Sequence, residues 1–146
     1  MRYSILLASI SLLIISCTKN KFTTAPQLKF KSMNIKDVYQ GDILQIKLSF
    51  TDKEGDLTGL LYVNQFSISC PKTKFENDKA VPAFPTTSNI EGEILVSYGY
   101  RVNPVLVEPQ CEDVKLDTCY FKFVLKDKAG NKSDTVVTDA FVLHKP

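Results

Sequence analysis

The stretch Val38-Tyr-Gln-Gly-Asp-Ile-Leu-Gln-Ile-Lys-Leu-Ser-Phe-Thr-Asp-Lys-Glu-Gly-Asp-Leu-Thr-Gly-Leu-Leu61 decides the fold. Leu44, Ile46, Leu48 and Phe50 share one parity, and Gln45, Lys47, Ser49 and Thr51 share the other. That is the period-two pattern of a strand with one buried face. The alternation stops at Asp52, where Lys53, Glu54, Gly55 and Asp56 make a charged turn whose glycine can take a positive φ. Leu60 then resumes the apolar run. One core strand therefore delivers three carboxylates to a loop tip.

Outward from this strand the same rhythm recurs. Residues 27–35 alternate Leu28, Phe30 and Ser32 against Lys29, Lys31 and Met33, which predicts a first strand at a sheet edge, with a turn at Tyr39-Gln40-Gly41-Asp42 before the strand 43–51. Residues 60–70 give a third strand ended by Pro71. From 72 to 90, Pro82 and Pro85 leave room for one brief edge strand at most. Residues 93–101 alternate Ile94, Val96, Tyr98 and Tyr100; residues 105–117 read as a long loop; residues 118–127 set Cys119, Phe121, Phe123 and Leu125 on one face. A turn at 128–132 and a strand over 135–144 close the domain. No window shows the i, i+3, i+4 spacing of an amphipathic helix over a useful length. Six or seven short antiparallel strands at this spacing predict an all-β sandwich.

The chain begins differently. Arg2 precedes an apolar stretch from Ile5 to Ile15, too short for the roughly 20 residues that span a bilayer, and the segment reads as a secretory signal. Ile14-Ile15-Ser16-Cys17 resembles the lipobox of bacterial lipoproteins, which implies cleavage before Cys17 and acylation of its thiol. Residues 1–16 are then the signal peptide, 17–26 a lipidated N-terminus and polar tether, and 27–146 one domain. Acyl chains at ~0.8 kcal/mol per buried CH₂ make a durable anchor. The resemblance implies an outer-membrane lipoprotein of the bacterial envelope. Thr18-Lys19-Asn20-Lys21 lacks the acidic run of surface-exported relatives, so the face of the membrane stays open. Beyond residue 16 the chain carries 17 basic against 16 acidic residues, an almost neutral balance that gives no footprint for nucleic acid.

Phe50-Thr51-Asp52-Lys53-Glu54-Gly55-Asp56-Leu57 and, later, Phe123-Val124-Leu125-Lys126-Asp127-Lys128-Ala129-Gly130-Asn131-Lys132-Ser133 resemble turn motifs of small immunoglobulin-like lipoproteins of Bacteroidetes. The resemblance implies an immunoglobulin-like β-sandwich of about seven antiparallel strands.

Connections in an antiparallel sandwich alternate between its ends, so the turns 52–59 and 127–132 should share one end. That convergence makes Asp52, Glu54, Asp56, Asp127 and Asn131 a candidate Ca²⁺ site, since this ion takes 6 to 8 oxygen ligands at ~2.3–2.6 Å. The spacing lacks the terminal Glu of an EF-hand loop and is closer to the interstrand acidic turns of cadherin-like domains. Lys53, Lys128 and Lys132 offer the acids another neutralisation.

With Cys17 acylated, Cys70, Cys111 and Cys119 remain, an odd count in an oxidising compartment. Pairing Cys111 with Cys119 closes a loop of about 9 residues, worth roughly 2.5 kcal/mol on the chain-entropy estimate. Cys70, at the close of the third strand, shares an end with the loop before residue 118 and is the competing partner. The sole histidine, His144, stands two residues from the C-terminus. Glu112 and Asp113 are adjacent and point to opposite faces, and no Ser or Cys has the context of an activated nucleophile. The expectation is therefore not an enzyme but a lipid-anchored binding or structural module, engaging a protein or glycan through sandwich-end loops or a strand edge. A small envelope hydrolase or protease inhibitor acting through loops, and a structural subunit of an envelope complex, are the alternatives.

Overall fold

The computed structural model describes residues 21–72, 74–83, 87–103, 111 and 113–146. Cys17, the signal peptide and the start of the tether lie outside them.

The period-two segments become strands. β1 (Gln27–Met33), β3 (Ile43–Asp52) and β7 (Ile90–Gly99) form one antiparallel sheet in the order β1-β3-β7, with β2 (Asp37–Val38) lying between β1 and β3 in the chain. The second sheet takes β2 together with β4 (Leu60–Ser67), β5 (Lys74–Glu76), β8 (Leu116–Lys126) and β10 (Phe141–His144), in the order β2-β10-β8-β4-β5. β6 (Lys79–Ala80) also pairs with β4, and β9 (Val136–Val137) with β8. The chain crosses between sheets five times, from β1 to β2, β2 to β3, β3 to β4, β6 to β7 and β7 to β8, and β2 lies parallel to β10. This is the path of an immunoglobulin-like sandwich.

Leu44, Ile46, Leu48 and Phe50 face the second sheet as their parity requires, and they meet Leu61, Val63, Phe121, Phe123 and Leu125, all buried. Phe121 is central: its ring stacks on Tyr98, Phe123 and Phe141 at centroid distances of 5.3, 5.7 and 5.5 Å. Fully burying each such side chain is worth about 1.5–3 kcal/mol, so the core holds both ends of the sandwich in place.

Two elements depart from simple alternation, each for a local reason. In β1 the register shifts between Phe30 and Ser32, a bulge at Lys31 that turns Met33 toward the core in place of Ser32. The strand expected over 135–144 is two strands. After β9, the Thr138 N–H donates to the Phe121 carbonyl, and the Thr138 hydroxyl accepts from the Phe121 N–H at 3.0 Å. One side chain thus completes the β8 ladder where a neighbouring strand would, and pairing resumes at Phe141.

Candidate functional site

β3 spans the sandwich, Ile43 at one end and Asp52 at the other, and β7 runs antiparallel beside it, Ile90 opposite Asp52 and Gly99 opposite Ile43. The Asp52 end also receives the start of the described chain: the Thr51 hydroxyl donates to the Lys21 carbonyl at 2.8 Å, the Lys53 N–H to the Thr23 carbonyl at 3.3 Å, and Gln27 pairs with Thr51. Lys21 forms an ion pair with Glu91 on β7.

At this end the loop 53–59 folds against the turn 127–132, the convergence expected from the sequence. Gly55 makes it possible. Its φ of +73° is left-handed, and a Cβ there would stand 2.0 Å from the Thr87 carbonyl oxygen. Gly59 passes as closely over Lys126, and Leu57 is buried beneath the loop.

Asp52, Asp56 and Asp127 each bring a carboxylate oxygen within 4.8 Å of the others. Asp52 is fully buried; its Oδ2 accepts the Gly55 N–H at 2.6 Å, and its Oδ1 is buried with no partner. Asp56 Oδ2 accepts the Ala129 N–H at 3.2 Å and its carbonyl the Lys128 N–H at 3.1 Å, while its Oδ1 is likewise buried and unpartnered. Asp127 is held by Asn131: Oδ1 takes the backbone N–H at 2.7 Å and Oδ2 the side-chain amide at 2.8 Å. Burial pushes the Asp52 carboxyl above the usual range; the Gly55 and Asp56 N–H groups oppose this, and the Asp56 and Glu54 charges add to it.

Two of the five expected ligands do different work. Glu54 is exposed at the loop apex and outside the cluster, because the reversal at Gly55 brings residues 52 and 56 together and leaves 54 pointing out. Asn131 positions Asp127, its amide hydrogens already directed at that carboxylate. The lysines leave the acids alone: Lys132 lies over the Tyr62 ring at 5.1 Å, and no ion pair among the described residues reaches the triad.

The opposite end is closed by a disulfide. It joins Cys70 to Cys111 with a Cα separation of 5.9 Å, which corrects the short-loop pairing of Cys111 with Cys119. Cys119 lies on the inward parity of β8, between Asp117 and Phe121, and faces the core. There its thiol donates to Asp117 Oδ2 at 3.1 Å, while the Ser67 hydroxyl donates to Asp117 Oδ1 at 2.5 Å and accepts the Cys70 N–H at 2.8 Å. Burial, and then the Asp117 carboxylate, push the Cys119 thiol far above its ordinary range, so it is inert at neutral pH. This network had a signal in the sequence: Gln65, Ser67 and Asp117 are polar residues on inward parities. His144 ends β10, as the strand expected over 135–144 requires, and there bonds Asp37 at 2.9 Å and stacks on Tyr39. Glu112 lies outside the described residues.

No protein-family model matches the chain, and no curated protein matches it. Among solved structures it is similar to a Niemann-Pick type C2 protein from Japanese carpenter ant, at 11% identity and a TM-score of 0.41, over 84% of this chain and 95% of that one. It is also similar to Spo0M, a sporulation control protein from Bacillus subtilis, at 12% identity and a TM-score of 0.38, over 85% of this chain and 51% of that one. Both scores are too low to add to the strand order, on which the fold assignment rests.

Proposed function

We propose that the protein is a lipid-anchored module of the bacterial outer membrane that binds a protein or glycan partner with the end of its sandwich remote from the anchor. The observation that carries this reading is the course of residues 21–27, which run beside the Asp52 end. An acylated Cys17, a few residues upstream, would set that end toward the membrane and hold the other some 30 Å away, the length of β3 at ~3.3 Å per residue. Around that far end Tyr39, Ile43, Ile68, Val102 and Leu116 are 40–59% exposed. Large apolar side chains in water beside polar loops are what a partner covers.

The Cys70–Cys111 bridge supports an oxidising compartment. We read the chain as a binding module and not an enzyme, because no Ser or Cys in the sequence has the context of an activated nucleophile for its one histidine to serve.

Two measurements test this. Cells expressing the full chain and Cys17→Ala are fed labelled palmitate and partitioned in detergent; label and detergent partitioning should be lost only in the variant. Crosslinking in intact envelopes, with Tyr39→Ser plus Leu116→Ser as control, should recover partners that the variant loses. An unlabelled, aqueous wild type, or identical recovery by the variant, would contradict the reading.

A further inference from the structure

We propose that Asp52, Asp56 and Asp127 bind one calcium ion, which ties the loop 53–59 to the turn 127–132. The site lies at the end that residues 21–27 run beside, opposite the surface proposed for the partner. Oxygens around one Ca²⁺ at ~2.3–2.6 Å are separated by at most about 5 Å. The 4.8 Å within which the three carboxylates converge therefore fits a shell around a single ion.

Asp52, fully buried, leaves Oδ1 without a hydrogen-bond partner, and Asp56 Oδ1 is also buried and unpartnered. A buried anionic oxygen without a partner is costly, and the like charge next to it adds to the cost. A divalent cation removes both penalties at once.

The remaining oxygens are already fixed by N–H donors from Gly55, Ala129 and Asn131, so the carboxylates are oriented before an ion arrives. The donor set is oxygen only, with no histidine or thiol, which selects a hard cation. Three carboxylates on irregular loops suit the flexible shell of Ca²⁺ better than the strict octahedron of Mg²⁺.

The test uses the full-length protein purified in detergent, stripped with EGTA and titrated with CaCl₂ by calorimetry, with thermal unfolding followed by circular dichroism. The expected result is saturable binding of one ion and a midpoint raised by roughly 5–10 °C at a hundredfold excess over Kd. MgCl₂ at the same concentration should do less. Asp56→Asn, in the half-buried loop position, should keep the wild-type spectrum in EGTA and lose on the order of tenfold or more in Ca²⁺ affinity. Asp127→Asn guards against a local artefact and should lose as much. A flat isotherm with an unchanged midpoint overturns the proposal, as does Asp56→Asn binding Ca²⁺ as tightly as the wild type. If Asp56→Asn melts above the wild type in EGTA while the wild type ignores Ca²⁺, a shared proton fills the gap and the proposal fails.

Discussion

Asp52 and Asp117 are both fully buried aspartates at strand ends, one at each end of the sandwich. Asp117 is satisfied on both oxygens, by the Ser67 hydroxyl and the Cys119 thiol, and the segment around it is locked by the Cys70–Cys111 bridge. Asp52 receives the N–H groups of Gly55 and Asp56 yet leaves Oδ1 buried without a hydrogen-bond partner, and Asp56 likewise leaves its own Oδ1 unpartnered. Equal burial therefore does not mean equal chemistry. A buried carboxylate with all its donors in place is a structural cross-link, whereas one left open toward a second carboxylate is arranged for something that is not part of the chain.

The largest effect should come from opening the distal end. Replacing Cys70 and Cys111 by alanine frees a loop spanning a sequence separation of 41, and should cost about 4 kcal/mol on the chain-entropy estimate. Urea unfolding measures it; a loss under about 1 kcal/mol would mean that the hydrogen-bonded network holds this end without the bridge.

Asp117→Ala removes the acceptor of both the Ser67 hydroxyl and the Cys119 thiol and should cost about 3 kcal/mol. It should also expose Cys119 to alkylation in the native state, where the wild-type thiol resists it.

At the acidic end, Gly55→Ala meets both the left-handed φ and the Thr87 carbonyl, and should cost about 2 kcal/mol. Near-neutral behaviour would show that the loop relaxes freely and that Gly55 is not what brings residues 52 and 56 together.

The smallest effect completes the contrast. Asp52→Asn in EGTA keeps an acceptor for the Gly55 N–H and relieves the repulsion from Asp56, so its stability should lie within about 1 kcal/mol of the wild type. If Asp52→Asn were as damaging as Asp117→Ala, the two buried aspartates would be doing the same job.

The contrast between the ends was only partly legible in the sequence. β3 and β8 carry ten and eleven residues of unbroken alternation, enough to fix their faces and their ends to within two residues. β6 and β9, at two residues each, carry no period to read. The convergence of Asp52, Asp56 and Asp127 follows from counting strand crossings. The exclusion of Glu54 does not, because it depends on the φ of one glycine. The disulfide was ambiguous for a related reason. Spacing favours Cys111 with Cys119, but β8 turns Cys119 inward, and the position of residue 111 beside the end of β4 is a three-dimensional fact. The exposed apolar residues of the far end are visible singly in the sequence, but only the route of residues 21–27 along β3 shows which end they occupy relative to Cys17.

Amide hydrogen exchange of the full-length protein in CaCl₂ and in EGTA compares the two ends in one experiment. Calcium should slow exchange at Gly55, Lys128, Ala129 and Asn131, whose N–H groups hold the loop and the turn together, and leave Cys70 and Thr118 unchanged. Identical exchange in both buffers, or protection that changes at the disulfide end instead, would contradict the account.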